Sequence, residues 1–122
     1  MAFTESIQEF IEYEKKFFDF VFCREFSIIM GEDYVKDITR IGRPLNNTII
    51  IDNMPQNFRL QKENGINIKA FWGEEIYDTA LIDLAPILVN IAKEGGDIRK
   101  GLVKYRDEIV KNVTSNISKQ NI

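Results

Sequence analysis

Residues 48–55, Thr-Ile-Ile-Ile-Asp-Asn-Met-Pro, constrain the fold of this chain more than any other stretch. Three consecutive isoleucines favour an extended backbone, because two heavy groups on each Cβ crowd a helix and fit a pleated surface. An apolar run without alternation suits a strand covered on both faces, as in a parallel sheet. Asp52, Asn53 and Pro55 then stop the strand. In open parallel sheets, functional groups collect just beyond the carboxyl ends of strands. A carboxylate and an amide at that position make a candidate seat for a cation or a phosphate. The same two residues are also favoured at an ordinary strand-to-turn exit.

The remaining segments alternate around this strand. Residues 5–20 place Ile7, Phe10, Ile11, Phe17 and Phe18 near helical spacing, with Glu12 and Lys16 as an i,i+4 pair, and a helix is expected over residues 6–13. Residues 18–30 are rich in aromatic and β-branched side chains and read as extended. Gly31-Glu32-Asp33 is a turn and Tyr34-Val35-Lys36 follows it, which predicts a hairpin. Residues 54–65 read as loop and residues 66–71 as another strand. From Asp78 or Thr79, Leu81, Leu84, Ile87, Leu88 and Ile91 recur every three or four residues, predicting an amphipathic helix with Pro86 as a kink point. Gly95-Gly96 stops it. A second helix should follow over residues 97–113, capped by Asp97. The order predicts a single α/β domain with a small, mostly parallel sheet, a hairpin insertion and C-terminal helices.

Composition narrows the chemistry. The 122 residues contain one cysteine and no histidine. Acid–base or metal chemistry must therefore use carboxylates, lysine, tyrosine or one thiol, and triads with a histidine base are excluded. Cys23, in an apolar run, reads as inert. A net charge of −3 argues against a sequence-independent nucleic-acid binder. No apolar run approaches the roughly 18 residues that a membrane helix needs. Asn112 heads a glycosylation pattern, which would matter only in a secreted protein. Trp72 reads as core or as a pocket wall.

Several motifs occur together. Val35-Lys36-Asp37-Ile38-Thr39-Arg40-Ile41-Gly42-Arg43-Pro44-Leu45 precedes the isoleucine strand, which ends in Asp52-Asn53-Met54-Pro55. Arg24 lies in a Phe-Cys-Arg-Glu-Phe segment upstream, and a segment from Phe58 to Trp72 lies downstream. In this combination the chain resembles the FCP/SCP-type, or NLI-interacting-factor-like, protein phosphatases, a branch of the haloacid-dehalogenase (HAD) superfamily. The resemblance spans about residues 15–92. It implies a partial HAD-like, Rossmannoid sheet. By the same resemblance, Lys36 is a point charge that binds phosphoryl oxygen and restrains the nucleophile. Asp52 is a hard oxygen ligand for Mg²⁺ with Asn53 supporting it, and Arg24 pairs with a substrate phosphate or with a nearby acid such as Glu25 or Asp19. Ala2-Phe3-Thr4-Glu5-Ser6 is similar to the family's second motif and makes Thr4 its phosphate-binding hydroxyl, although the run from Thr4 to Arg24 is short by about one and a half helical turns. Arg40 and Arg43 read as a solvated pair or as a basic rim for an acidic peptide.

One departure sets the functional expectation. The family attacks phosphorus with an aspartate in an Asp-x-Asp motif, and no Asp-x-Asp occurs in the sequence. The chain is therefore expected to be the C-terminal part of such a domain, inactive alone and holding Mg²⁺ only weakly. The resemblance implies a Ser/Thr protein phosphatase acting on phosphorylated protein or peptide, for example the C-terminal repeats of RNA polymerase II. The alternative is a non-catalytic interaction module, like the mitochondrial translocase receptor of the same fold. An intracellular place is expected, nuclear or cytoplasmic before mitochondrial. Exposed sheet edges predict self-association. Above all, Lys36 and Asp52 should face one shared hollow.

Overall fold

The computed structural model describes residues 17–73 and 76–115. The helix expected over residues 6–13, and Thr4 with it, lie outside these. The described chain is a mixed α/β structure with short antiparallel and parallel strand pairs and C-terminal helices, the expected class and consistent with a partial HAD-like fold.

Strands β1 (Ile28–Met30) and β2 (Asp33–Val35) form the hairpin, with Met30 opposite Asp33. Its two-residue turn begins at Gly31, whose φ of 65° matches the positive φ that such turns require at their first position. The expected extended run before β1 is interrupted. A 3₁₀ turn covers Arg24–Phe26, closed by Phe26 N–H donating to Cys23 O at 2.9 Å. After β2, Asp37 caps a second 3₁₀ turn, Ile38–Ile41, by accepting from Thr39 N–H at 3.0 Å.

β3 (Ile50–Asp52) and β4 (Gly65–Asn67) pair in parallel, Ile51 opposite Ile66. Parallel neighbours need a long crossover. Here residues 54–65, expected to be loop, are 3₁₀ turns over Pro55–Asn64, broken at Phe58 and Gln61. Pro55 presets φ for the first turn. The buried residues of this segment are Phe58, Gln61 and Asn64, three apart. β3 is not covered on both faces as expected. Ile50 and Asp52 are buried, but Ile51 between them is exposed.

Helix α1 (Ala80–Glu94) runs continuously through Pro86, which sits on its exposed side. Its buried positions are Ala80, Leu84, Ile87 and Ile91; of the predicted stripe, Leu88 is only partly buried and Leu81 is exposed. Asp78 Oδ1 accepts from Ala80 N–H at 2.9 Å at its start. The second C-terminal helix is in three pieces rather than one: α2 (Ile98–Lys104), α3 (Arg106–Ile109) and a π-helical turn, Val110–Ser115. Tyr105 breaks the first two. The last turn hooks onto the sheet, Lys69 N–H donating to Val113 O at 2.9 Å and Thr114 Oγ1 to Asn67 O at 2.7 Å. Trp72, expected in the core or a pocket wall, is 77% exposed and belongs to neither apolar cluster.

Two cores result. The larger joins Ile66 of β4 to Leu84, Ile87, Ile91, Leu102, Ile109 and Val113 from the C-terminal helices. The smaller holds only Ile38, Ile50 and Phe58, with Leu45 at its margin. Gly65 lies at the join, so close to Phe58 that a Cβ there would fall 2.2 Å from two ring carbons.

Candidate functional site

Strand alternation builds the site. In the hairpin, Val35 points inward and is fully buried, so Tyr34 and Lys36 share the outer face. In β3, Ile50 points into the small core and Asp52 follows it on the same face. These two strand ends meet. Lys36 Nζ donates to Asp52 Oδ2 at 2.6 Å. The pair is lopsided: the Lys36 side chain is 51% exposed and that of Asp52 only 5%. A carboxylate buried to this degree needs a counter-charge and hydrogen bonds. Asp52 has both, since its Oδ1 accepts from Met54 N–H at 2.9 Å and from Asn57 Nδ2 at 3.4 Å.

Lys36 opens onto a cleft of about 620 Å³, lined also by Phe22, Arg24, Tyr34, Met54 and Asn57. Arg24 stacks over the Tyr34 ring, 4.8 Å from its centroid. Such stacking fixes a guanidinium without using its donors. The cleft thus carries two cations from separate elements, Arg24 from the 3₁₀ turn and Lys36 from the hairpin. Three acids line it as well, and two of them, Asp33 and Asp37, are tied elsewhere among the described residues, while Glu32 is not. Asp33 pairs with Arg59. Asp37 is held below its ordinary value first by the Thr39 hydroxyl, against the cost of burial, and further by the Thr39 N–H, the Gln61 amide and Arg40. Arg40 is fastened too, donating to Phe26 O at 2.8 Å and stacking on the Phe26 ring at 4.6 Å.

The structure therefore brings Lys36, Asp52 and Arg24 to one region and leaves Asn53 apart. Successive strand residues face opposite ways, so Asn53 leaves the sheet on the face of Ile51. There it lines a separate hollow with Ile68, Phe71 and Leu81. The sequence reading missed Tyr34, Asn57 and Gln61. Gln61 accepts from Ile38 N–H at 3.1 Å and donates to Asp37 at 2.9 Å, fixing the turn that follows Lys36. The signal for Gln61 was its three-residue spacing from Phe58 and Asn64, which polar residue types disguised as a solvated loop.

The donors suit phosphate better than a divalent metal. Among the described residues no group of three or more acidic, histidine or cysteine side chains converges. Asp52 is a single carboxylate with both oxygens engaged, whereas Mg²⁺ asks for near-octahedral oxygen ligation. The residues present do not by themselves fit Mg²⁺. Among the described residues, no helix is long and apolar enough to cross a membrane.

The chain resembles known phosphatases in sequence. The sequence model of the NLI interacting factor-like phosphatases matches residues 1–99. The human CTD small phosphatase-like protein is 35% identical over 71 residues, 58% of this chain and 25% of that protein. CTD small phosphatase-like protein 3 of Caenorhabditis elegans is 40% identical over 84 residues, 68% of this chain and 29% of that protein. The human carboxy-terminal domain RNA polymerase II polypeptide A small phosphatase 2 is 35% identical over 69 residues, 57% of this chain and 25% of that protein. The chain thus spans about a quarter of the length of these relatives. No solved structure matches it.

Proposed function

Because this chain belongs to the NLI-interacting-factor-like phosphatase family, we propose that it supplies the phosphate-holding cations of a protein phosphatase site for phosphoserine peptides. One observation carries this reading: Lys36, half exposed and oriented by a buried carboxylate, shares a cleft with the stacked Arg24. Two cations fixed on separate elements can grip a dianion from two sides, and neither must be ordered on binding. Asp52 holds the ammonium in place and offsets its charge when no ligand is present. RNA polymerase II C-terminal repeats are the substrate class that the relatives' names suggest, with a nuclear or cytoplasmic setting.

Phosphoryl transfer also needs an in-line nucleophile. The sequence contains no Asp-x-Asp, so that motif supplies neither the attacking aspartate nor further oxygens for Mg²⁺ here. This absence favours a second role for the chain as it stands, binding phosphorylated protein without turnover. Apolar side chains at the sheet margin, Ile51, Phe71 and Leu81, would drive self-association.

Calorimetry with a phosphoserine peptide tests the reading. Binding is expected for the wild type, and Lys36→Met or Arg24→Met should weaken it about tenfold each, the scale of a charge-assisted hydrogen bond. Equal affinity for the unphosphorylated peptide would overturn the proposal. In an aryl phosphate assay with Mg²⁺ the chain alone should give no turnover. Turnover that disappears in Asp52→Ala would show that it catalyses unaided.

A further inference from the structure

We infer that Asn57 is a positioning residue for the cation in the cleft, a role that rests on the phosphate-binding reading above only for its purpose and not for its geometry. Asn57 touches both members of the pair from one place. Its carbonyl accepts from Lys36 N–H at 2.8 Å and its Nδ2 reaches Asp52 Oδ1 at 3.4 Å. Its own N–H donates to Met54 O at 2.9 Å, while Met54 N–H donates to Asp52 Oδ1 at 2.9 Å. With the Lys36–Asp52 contact at 2.6 Å, these bonds close a circuit. It runs from the hairpin end to the loop, from the loop to the carboxylate, and from the carboxylate back to the lysine side chain.

The circuit decides which carboxylate oxygen does what. Oδ1 is turned to the loop by two donors, so Oδ2 is left for Lys36. Turning the carboxyl plane away from this setting would loosen bonds on both oxygens, and a half-turn only exchanges two equivalent oxygens. The backbone part of the circuit survives any substitution at position 57, and the amide part does not. Asn57 also lines the cleft. Nothing in its neighbourhood requires an amide for packing, since it is half-buried and belongs to neither apolar core.

The test reads the ammonium directly. In the ligand-free wild type, the Lys36 ¹⁵Nζ–¹H signal should be visible by NMR, because a held ammonium exchanges slowly with water. In Asn57→Ala its exchange should quicken about threefold, the factor that one weak hydrogen bond supplies. Asn57→Gln, which keeps the amide, should restore much of the slowing. The melting temperature should stay near the wild-type value in both. Unchanged exchange in Asn57→Ala would overturn the inference, as would equal effects of Ala and Gln. Should Asn57→Ala not fold, Asn57→Gln with wild-type exchange supports the role, and Asn57→Gln with exchange as fast as the other lysines overturns it. Inorganic phosphate added afterwards separates the two ideas. Slow exchange without any response to phosphate would keep the role of Asn57 and sink the phosphate reading.

Discussion

The two halves of the molecule are held together by different physics. From β4 onward, seven buried apolar residues pack into one cluster, and six of them lie in the four consecutive C-terminal helical segments. From the hairpin to the crossover, the buried apolar set shrinks to Val35, Ile38, Ile50 and Phe58, only the last three forming a cluster, and polar side chains take its place. Thr48, Asp52, Gln61 and Asn64 are all buried there. Each has a named partner: Thr48 Oγ1 donates to Pro44 O at 2.7 Å, and Asn64 Nδ2 donates to Leu45 O at 2.6 Å and to Thr48 O at 2.9 Å. An apolar core supplies stability without direction, whereas a satisfied polar network adds little net stability but fixes one geometry. The site sits in the polar half, where geometry matters more than depth of burial.

The largest effect should come from the apolar half. Leu84 is 1% exposed and central to the large cluster. Leu84→Ala should cost about 4 kcal/mol through lost transfer energy and a cavity, a large share of a small domain's stability. Urea unfolding followed by circular dichroism measures it. A loss below that of any site-half substitution would reverse the comparison. Next comes the join. Gly65→Ala places a methyl 2.2 Å from the Phe58 ring, and either the ring or β4 must move. A cost of about 3 kcal/mol is expected from such overpacking. Since Phe58 supports Ile50 and so Asp52, phosphopeptide affinity should fall with stability. Stability lost with affinity intact would show that the small core does not position the site.

The same contrast explains what the sequence disclosed. The stripe Leu84, Ile87, Ile91 is legible because burial and helical period coincide in apolar residue types. The hairpin is legible because Gly31 marks its turn. Lys36 and Asp52 emerged as a pair through the family resemblance, and their 2.6 Å contact could not be read from a separation of sixteen residues. Residues 55–64 misled because inward-facing Gln61 and Asn64 look solvated until their partners are known. Ile51 misled because an isoleucine run does not reveal how many neighbours its strand has. Asn53 was grouped with Asp52 by adjacency, yet adjacency on a strand separates side chains to opposite faces. Tyr105 falls inside the helix expected over residues 97–113, and the helix breaks there all the same.

A smaller effect probes the polar network itself. Asn64 is 1% exposed and satisfies two carbonyls of the chain entering β3. Asn64→Ala leaves both without a donor in a buried place, which should cost about 2 kcal/mol. Asn64→Asp should be worse than Ala, because a carboxylate donates nothing and repels both oxygens. If Asn64→Asp were as stable as the wild type in urea, the network would not be what holds β3 in register.

The smallest effect lies at the start of α2, far from the cleft, and depends on pH. Asp97 accepts from Arg99 N–H at 3.0 Å and pairs with the Arg99 guanidinium at 2.7 Å. The Arg99 side-chain bonds first, and its backbone N–H second, lower the Asp97 carboxyl from 3.8 to about 2. A carboxyl whose folded value lies below its unfolded value binds protons more readily in the unfolded chain. Its contribution is complete above pH 3.8 and is lost as pH falls towards 2. Asp97→Asn keeps a cap but cannot titrate. The melting temperature of the wild type should therefore fall more steeply than that of Asp97→Asn between those limits, and the two should run parallel above them. Phosphopeptide affinity at neutral pH should be the same for both, since the helical half supports the cleft without shaping it. An affinity that followed Asp97 would mean that the two halves are coupled through α2, and the division between a stabilising half and a positioning half would not stand.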